Sequence, residues 1–272
     1  MAEISALFNS VSLPVMPEVG AALINTLDDD DAPSGKILEL IARDPALSAK
    51  LLALANSAAF GLPRKVATLD GALSLVGLSK VRALALSACM RNAFSMPPGI
   101  DSADFWRYSI ACAGYAQWLV EGLPKDMKVD RQKAWLTGLM LRLGELIIGH
   151  AAPQTLKDIV KMPCAVGERW TREKQVVGFD EGEVTAELAR RWNFPSEIGR
   201  ALQAACEPLA KKPILPLAGV LHLAGLLADV PQARVDAIDT LPVEVMSALA
   251  LKYDWMKESF PDASKFLNIN VL

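Results

Sequence analysis

Metal-assisted hydrolysis needs several imidazole and carboxylate ligands, because together they hold the cation that acidifies the attacking water. This chain of 272 residues has only two histidines, His150 and His222, and neither is followed by an aspartate. His222 lies in an apolar segment, which favours a core histidine satisfied by a hydrogen bond. His150 lies near a predicted helix end, where a cation is favoured. The sequence therefore predicts no metal ion and no cofactor.

Other catalytic patterns are weak in this sequence. Neither histidine lies near a Gly-x-Ser-x-Gly segment, and no glycine-rich phosphate loop occurs. Two histidines alone still leave nucleophilic catalysis open. The acidic run 28–31 lacks the alternation of a calcium-binding loop, so we interpret it as a solvated loop. The cysteines are widely separated, which favours reduced thiols over a zinc site or a disulfide framework; they are Cys89, Cys112, Cys164 and Cys206.

Composition bounds the class of protein. Hydrophobic residues make up 52% of the chain and the formal net charge is −3, so we expect a globular protein of one large or two closely packed domains. This small negative charge predicts no strongly basic surface of the kind that binds nucleic acid or an acidic membrane. The apolar run 213–228 is shorter than the roughly 20 residues that span a bilayer, and no leader is expected at the N-terminus. We expect a cytoplasmic protein without membrane or nucleic-acid partners.

Apolar residues recur at helical spacing along the chain, and no strand alternation of useful length occurs. The predicted fold class is all-α. We expect Asp44, Ser34, Thr68 and Ser79 to cap helices, and Pro97-Pro98-Gly99 to mark an internal boundary. The predicted helices span residues 19–27, 34–42, 45–60, 69–76, 80–93, 105–119, 132–148, 155–161, 181–192, 196–206, 215–228 and 242–255.

The segment from Asp44 to Gly61 has the most specific pattern, with an Asp-Pro helix start and a Leu-Ala-Asn-Ser-Ala-Ala-Phe-Gly end. It resembles the hallmark of the HDOD family, bacterial signalling domains related to HD-type phosphohydrolases, and the resemblance covers roughly residues 13–228. The residues of this sequence that match the family motif are Asp44, Pro45, Ala55, Asn56, Ser57, Gly61 and Gly77.

The resemblance implies an HD-domain-like helical bundle. Its N-terminal HDOD half would span residues 13–96 and a degenerate HD half residues 97–230, between an N-terminal segment, 1–12, and a C-terminal helix and tail, 231–272. Asn56 has two interpretations: its side chain bonds a neighbouring loop, or it takes part in the function of the family.

The same resemblance implies that the metal-ligand positions of the HD hydrolases have been replaced. Arg142 occupies half of the former His-Asp doublet, and we expect it to pair with Glu145, Glu181 or Glu183, because a buried guanidinium needs a partner. The positions predicted to have lost their ligands are Tyr108, Leu141, Arg142, Glu181, Cys206 and Gly225.

The leading functional hypothesis is a non-catalytic regulatory module that contacts a protein partner in a signalling pathway. No receiver-like strand–helix alternation occurs, so we expect the partner to act in trans or through self-association as a homo-oligomer. The first alternative is a metal-dependent phosphohydrolase acting on a nucleotide or cyclic dinucleotide. The second is a sensing module, in which one or two tryptophans line a small-molecule pocket.

Overall fold

The computed structural model describes residues 4–27, 33–56, 65–161, 165–262 and 266, and its described residues contain helices and no strand. The predicted all-α class is therefore confirmed. The α-helices are α1 Ile4–Asn9, α2 Glu18–Ile24, α3 Ser34–Ala42, α4 Pro45–Ala55, α5 Leu69–Val76, α6 Leu78–Ala93, α7 Ser102–Glu121, α8 Arg131–Met140, α9 Leu143–Ala151, α10 Pro153–Lys161, α11 Glu168–Val177, α12 Glu181–Arg191, α13 Ser196–Ala204, α14 Pro216–Asp229, α15 Val243–Ala248 and α16 Tyr253–Ser259. A 3-10 helix spans Val235–Thr240.

The chain divides into two compact units. Within the described residues, the HDOD-motif unit consists of residues 14–95 and 192–195, and the large unit of residues 4–13, 96–191 and 196–266, apart from the gaps given above. The division after Ser95 lies next to the boundary predicted at residue 96. The segments predicted separately as 1–12, 97–230 and 231–272 all contribute to the large unit.

Helix α4, in the HDOD-motif unit, begins at Pro45 as predicted and ends at Ala55, and the predicted end near residue 60 lies outside the described residues. Asp44 caps it by accepting from the backbone N–H groups of Ala46 at 2.8 Å and Leu47 at 3.2 Å. Leu47, Leu51 and Leu54 are buried as predicted, so the apolar face of this helix forms part of the core. Burial of such leucines is a main source of stability in a helical unit.

Two predicted caps are correct and two are wrong. The hydroxyl of Thr68 accepts from the Gly71 amide at 3.2 Å, as expected for a cap of α5. Ser34 is the first helical residue of α3 and makes no capping bond. Ser79 lies inside α6, which begins at Leu78 directly after Gly77. Gly77 has a φ of +85°, and this left-handed conformation, open to glycine, turns the chain without a side-chain cap.

The core of the large unit is formed where α7 packs against α8 and α14. At Gly138, an added Cβ would lie 3.0 Å from the Cα of Ala113, so a residue without a side chain permits the close approach of α8 to α7. Phe260 and Phe266 pack against Tyr115 on α7. This part of the tail therefore contacts its own unit, whereas residues 267–272 lie outside the described residues.

Two long predicted helices are interrupted in the structure. The predicted helix 132–148 divides into α8 and α9 at Leu141 and Arg142, because the freed carbonyl of Leu141 accepts from the Thr185 hydroxyl at 2.9 Å. The predicted helix 242–255 divides into α15 and α16, with Ala250 at a φ of +50° between them. Helix α11 was not predicted.

Among the described residues, no single helix has both the length and the apolar composition needed to cross a bilayer. The successive helices α5 and α6 satisfy both conditions only as a pair, and they meet at a bend of 112°.

Candidate functional site

The centre of the large unit contains a buried group of charged side chains, here called the charged cluster. Two guanidinium groups and four carboxylates form it, and they come from α9, its preceding turn, α11, α12 and α14. Three of the carboxylates, on Glu145, Glu173 and Glu181, are at most 3% exposed. The members of the charged cluster are Arg142, Glu145, Arg169, Glu173, Glu181 and Asp229.

The interruption between α8 and α9 positions Arg142. Its Nη2 donates to Asp229 Oδ1 at 2.7 Å, and its Nε lies 3.4 Å from Glu181 Oε2 and 3.9 Å from Glu145 Oε2. The predicted pairing of Arg142 with Glu145 or Glu181 is confirmed. The suggested partner Glu183 was wrong, since its carboxylate accepts instead from the backbone N–H of Asp180 at the start of α12.

Arg169 is the second cation of the cluster. Its Nη1 donates to Glu145 Oε1 at 2.7 Å, its Nη2 donates to Glu181 Oε2, and its Nε lies 3.6 Å from Glu173 Oε1. The two arginines thus share Glu145 and Glu181. Such shared charge-assisted hydrogen bonds offset the cost of removing these carboxylates from water.

Burial and neighbouring charge set the protonation of the cluster. Burial would lower the pKa of Arg142 and Arg169 would lower it further, but Tyr108, Glu181 and Asp229 raise it above its usual value. Burial raises the pKa of Glu173 well above its usual range, and the charge of Glu181 adds to this effect. The shift favours the protonated form of Glu173, which adds no unpaired negative charge to the buried cluster.

Aromatic residues close one side of the cluster. The guanidinium of Arg142 lies over the ring of Tyr108, and Trp170 Nε1 donates to Glu181 Oε1 at 2.8 Å. A Cβ added at Gly225 would lie 2.8 Å from the Trp170 ring and 3.0 Å from the Tyr108 hydroxyl. Because Gly225 has no side chain, both rings can pack directly against the backbone of α14.

Five of the six predicted degenerate positions meet in this region. Tyr108, Arg142 and Glu181 contact one another or a shared partner, Gly225 faces Tyr108, and the carbonyl of Leu141 bonds Thr185 on α12. The sixth position, Cys206, lies beside the start of α12: its Sγ is 3.2 Å from where a Cβ would sit on Gly182, and burial together with the charges of Asp180 and Glu181 raises the pKa of its thiol. Their correspondence to metal ligands of the hydrolases stays a prediction.

The donor set of the cluster does not fit a divalent metal. Each of its carboxylates is within ion-pair distance of an arginine. In the part of the chain that the structure describes, no three histidine, cysteine, aspartate or glutamate side chains are grouped to hold a metal ion. A fixed guanidinium beside the carboxylates would also repel an incoming cation.

Sequence reasoning missed three members of the charged cluster, namely Arg169, Glu173 and Asp229. The signal for two of them was present, because Gly167 and Gly178 flank a ten-residue segment that forms α11. Within it, Arg169 and Glu173 have the i,i+4 spacing of a helical ion pair. Asp229 is the last residue of α14 and follows a run of apolar residues, with no local pattern that indicates a distant partner.

The matching residues of the HDOD motif have structural contacts in their own unit. Asn56 donates to the carbonyls of Leu52 and Val66, both at 2.8 Å, and accepts from the Val66 amide at 2.7 Å. The interpretation that Asn56 bonds a neighbouring loop is therefore confirmed. Asp44 and Pro45 start α4, Ala55 is its buried last residue, and Gly77 separates α5 from α6. The structure does not describe Ser57, Gly61, Cys164 or the acidic run 28–31.

Comparisons with known proteins place this geometry in a family. A family model described as the HDOD domain matches residues 13–208. A structure of an HDOD domain protein with unknown function from Geobacter sulfurreducens superposes with a TM-score of 0.78 at 17% identity, covering 99% of this chain and 98% of that one. A structure named "Putative phosphohydrolase" from Shewanella amazonensis SB2B has a TM-score of 0.76 at 25% identity, covering 98% and 96%.

One curated relative, an uncharacterized protein of Treponema pallidum (strain Nichols), is 24% identical over 190 residues. The match covers 68% of this chain and 36% of that relative, so the chain corresponds to about a third of the longer protein. The family match and the shared fold together support an HD-like helical module related to signalling.

Proposed function

Because the chain belongs to the HDOD domain family, we propose that it is a non-catalytic regulatory module that transmits a signal by contacting another protein in a bacterial cytoplasm. One observation carries the proposal: Arg142 and Arg169 bind the carboxylates of the charged cluster through their guanidinium groups. In a phosphohydrolase, a metal ion in this environment would acidify the attacking water.

The exchange of a metal ion for arginine has a chemical consequence. A guanidinium neutralises carboxylates and orients them, but it carries no exchangeable water and keeps its proton at every physiological pH. The cluster can therefore hold α9, α11, α12 and α14 together without generating a hydroxide. This property suits a module whose rigid body presents surfaces to a partner.

Two measurements on the purified full chain test the absence of catalysis. Elemental analysis after incubation with Mn²⁺ and gel filtration should show less than stoichiometric metal. A phosphodiesterase assay with bis(p-nitrophenyl) phosphate and with cyclic dinucleotides should show no turnover above buffer. Stoichiometric metal together with turnover that is lost in His222→Ala would support the phosphohydrolase alternative and refute the proposal.

Partner contact is tested separately, by affinity capture of the tagged chain from its native host with chemical crosslinking. A partner that binds wild type, and still binds after substitution of Cys112, a buried residue outside the charged cluster, would support a surface contact. A purified chain that neither captures a protein nor self-associates in light scattering would contradict the proposal. Identification of the captured protein would name the pathway.

A further inference from the structure

A cavity of about 360 Å³ opens in the large unit beside the charged cluster. This volume lies in the range of small-molecule sites, roughly 300–1,000 Å³. Helices α11 and α14 and the loop after α13 supply most of its wall, including Trp170, His222, Leu226, Asp180, Lys174 and Glu207. From this cavity we propose a binding site for a small organic cation with a flat apolar body, such as an amidinium or an amine attached to a ring.

The aromatic wall is the first argument. The rings of Trp170 and His222 have centroids 5.2 Å apart, and Leu226 and Val166 add apolar surface to the same cavity. The indole is held in place because its N–H donates to Glu181. An indole face attracts cations, and the attraction strengthens where water is excluded.

His222 offers the cavity an acceptor and no charge. Its Nδ1 lies 2.8 Å from the carbonyl oxygen of Ala205, and a carbonyl can only accept, so Nδ1 carries the proton and Nε2 is left with a lone pair. Nε2 has no hydrogen-bond partner among the residues that the structure describes. Burial lowers the pKa of His222, which keeps the ring neutral. A ligand N–H is the group that this atom would bind.

The charged groups of the wall also favour a donor-rich ligand. Among the described residues that line the cavity, Lys174 is the one cation, and its Nζ lies within 3.7 Å of three carboxylates, on Asp180, Glu183 and Glu207. One ammonium among three carboxylates leaves acceptors in excess. Glu207 is the accessible one, with a side chain 63% exposed, so it is placed to pair with a ligand cation at the mouth.

Three probes of nearly identical shape separate charge from shape: benzamidine, which is cationic, benzamide, which is neutral, and benzoate, which is anionic. Isothermal titration of the full chain should show saturable one-to-one binding of benzamidine, with a dissociation constant at least tenfold lower than that of benzamide. Benzoate should not bind. Equal affinities for benzamidine and benzamide, or tighter binding of benzoate, would overturn the proposal.

Variants locate the binding. Thr171 is exposed on α11 and lines the cavity, so Thr171→Trp fills the space without burying a new charge and should abolish saturable binding. Glu207→Gln should weaken benzamidine binding roughly threefold, as expected for a partly exposed ion pair. The matched control is Glu121→Gln, at an exposed glutamate outside the cavity, which should leave affinity unchanged.

Circular dichroism and the thermal midpoint of Thr171→Trp establish that the variant is folded. If benzamidine binds this folded variant as tightly as wild type, the site lies elsewhere and the proposal fails. The inference is independent of the proposed function, because metal content and phosphodiesterase turnover have no bearing on the affinity for benzamidine.

Discussion

Replacing Arg169 with methionine tests whether the guanidinium groups hold the large unit together. Methionine keeps most of the apolar stem and removes the charge and the donors. Three carboxylates contact this guanidinium, and Glu145, Glu173 and Glu181 are 3%, 0% and 0% exposed. Breaking a buried ion pair by removing one partner costs about 3–5 kcal/mol, because the remaining charge stays buried without compensation. We expect Arg169→Met to lower the free energy of unfolding by an amount in this range.

The pH dependence of that loss identifies its electrostatic origin. Arg169 is one of the groups that hold the pKa of Glu173 down against burial, so without Arg169 the folded-state pKa of Glu173 rises further above its usual value. The folded variant then binds more protons than the unfolded chain, so its stability falls as the pH rises. The loss of unfolding free energy relative to wild type should be largest at pH 8 and should shrink toward pH 5. If the loss came only from the space left by the missing side chain, it would be the same at both pH values.

Urea unfolding followed by tryptophan fluorescence measures these changes, since Trp170 donates to a carboxylate of the cluster. The matched control is Arg190→Met, at a guanidinium 70% exposed and paired with Glu187, where an exposed pair contributes little. Adding Glu145→Gln to Arg169→Met should restore part of the lost stability. A deficit below about 1 kcal/mol, or one independent of pH, would refute a stabilising role for the cluster.

Three further changes probe the contacts around the motif and the site. Asn56→Ala should cost about 1–3 kcal/mol of unfolding free energy, because a loop amide loses its acceptor. Gly225→Ala should cost about 1–3 kcal/mol by overpacking, since its Cβ would lie 2.8 Å from an indole ring. Burial raises the pKa of Asp180 to about 6, so the folded protein holds this proton more tightly than the unfolded chain does. The free energy of unfolding of the wild type should therefore fall by about 2–3 kcal/mol as the pH rises from about 4 through 6. Asp180→Asn should lack this part of the slope in urea titrations.

Each of these changes has a matched control or a contradicting result. Asn25→Ala, at an exposed asparagine, should change stability by less than about 0.5 kcal/mol. Gly199→Ala should be neutral or stabilising, because the nearest atom lies 3.9 Å from its added Cβ and the site is helical. If the alanine substitutions at Gly199 and Gly225 changed stability equally, the contact with the aromatic rings would be irrelevant. If stability depended on pH in the same way in wild type and in Asp180→Asn, the titration assigned to Asp180 would be wrong.

The helices of the HDOD-motif unit could be predicted because their signals are local. An Asp-Pro start and apolar residues on one face specify the beginning and the buried side of α4, and a Thr68 cap in the same way marks the start of α5. The same local chemistry explains the failures: Ser34 and Ser79 have the residue type of a cap, but the helices begin at Ser34 itself and at Leu78. Residue type alone does not fix the first helical residue.

The sequence by itself determined the all-α class, the scarcity of metal ligands and the need of Arg142 for a carboxylate. Tertiary structure decided which carboxylates these are. Asp229 is 87 residues away along the chain, and the break that positions Arg142 depends on the Thr185 hydroxyl of another helix. Helical periodicity reports which face of a helix is apolar, but pairing between buried charges depends on how helices distant in sequence are packed together, and no local pattern encodes that.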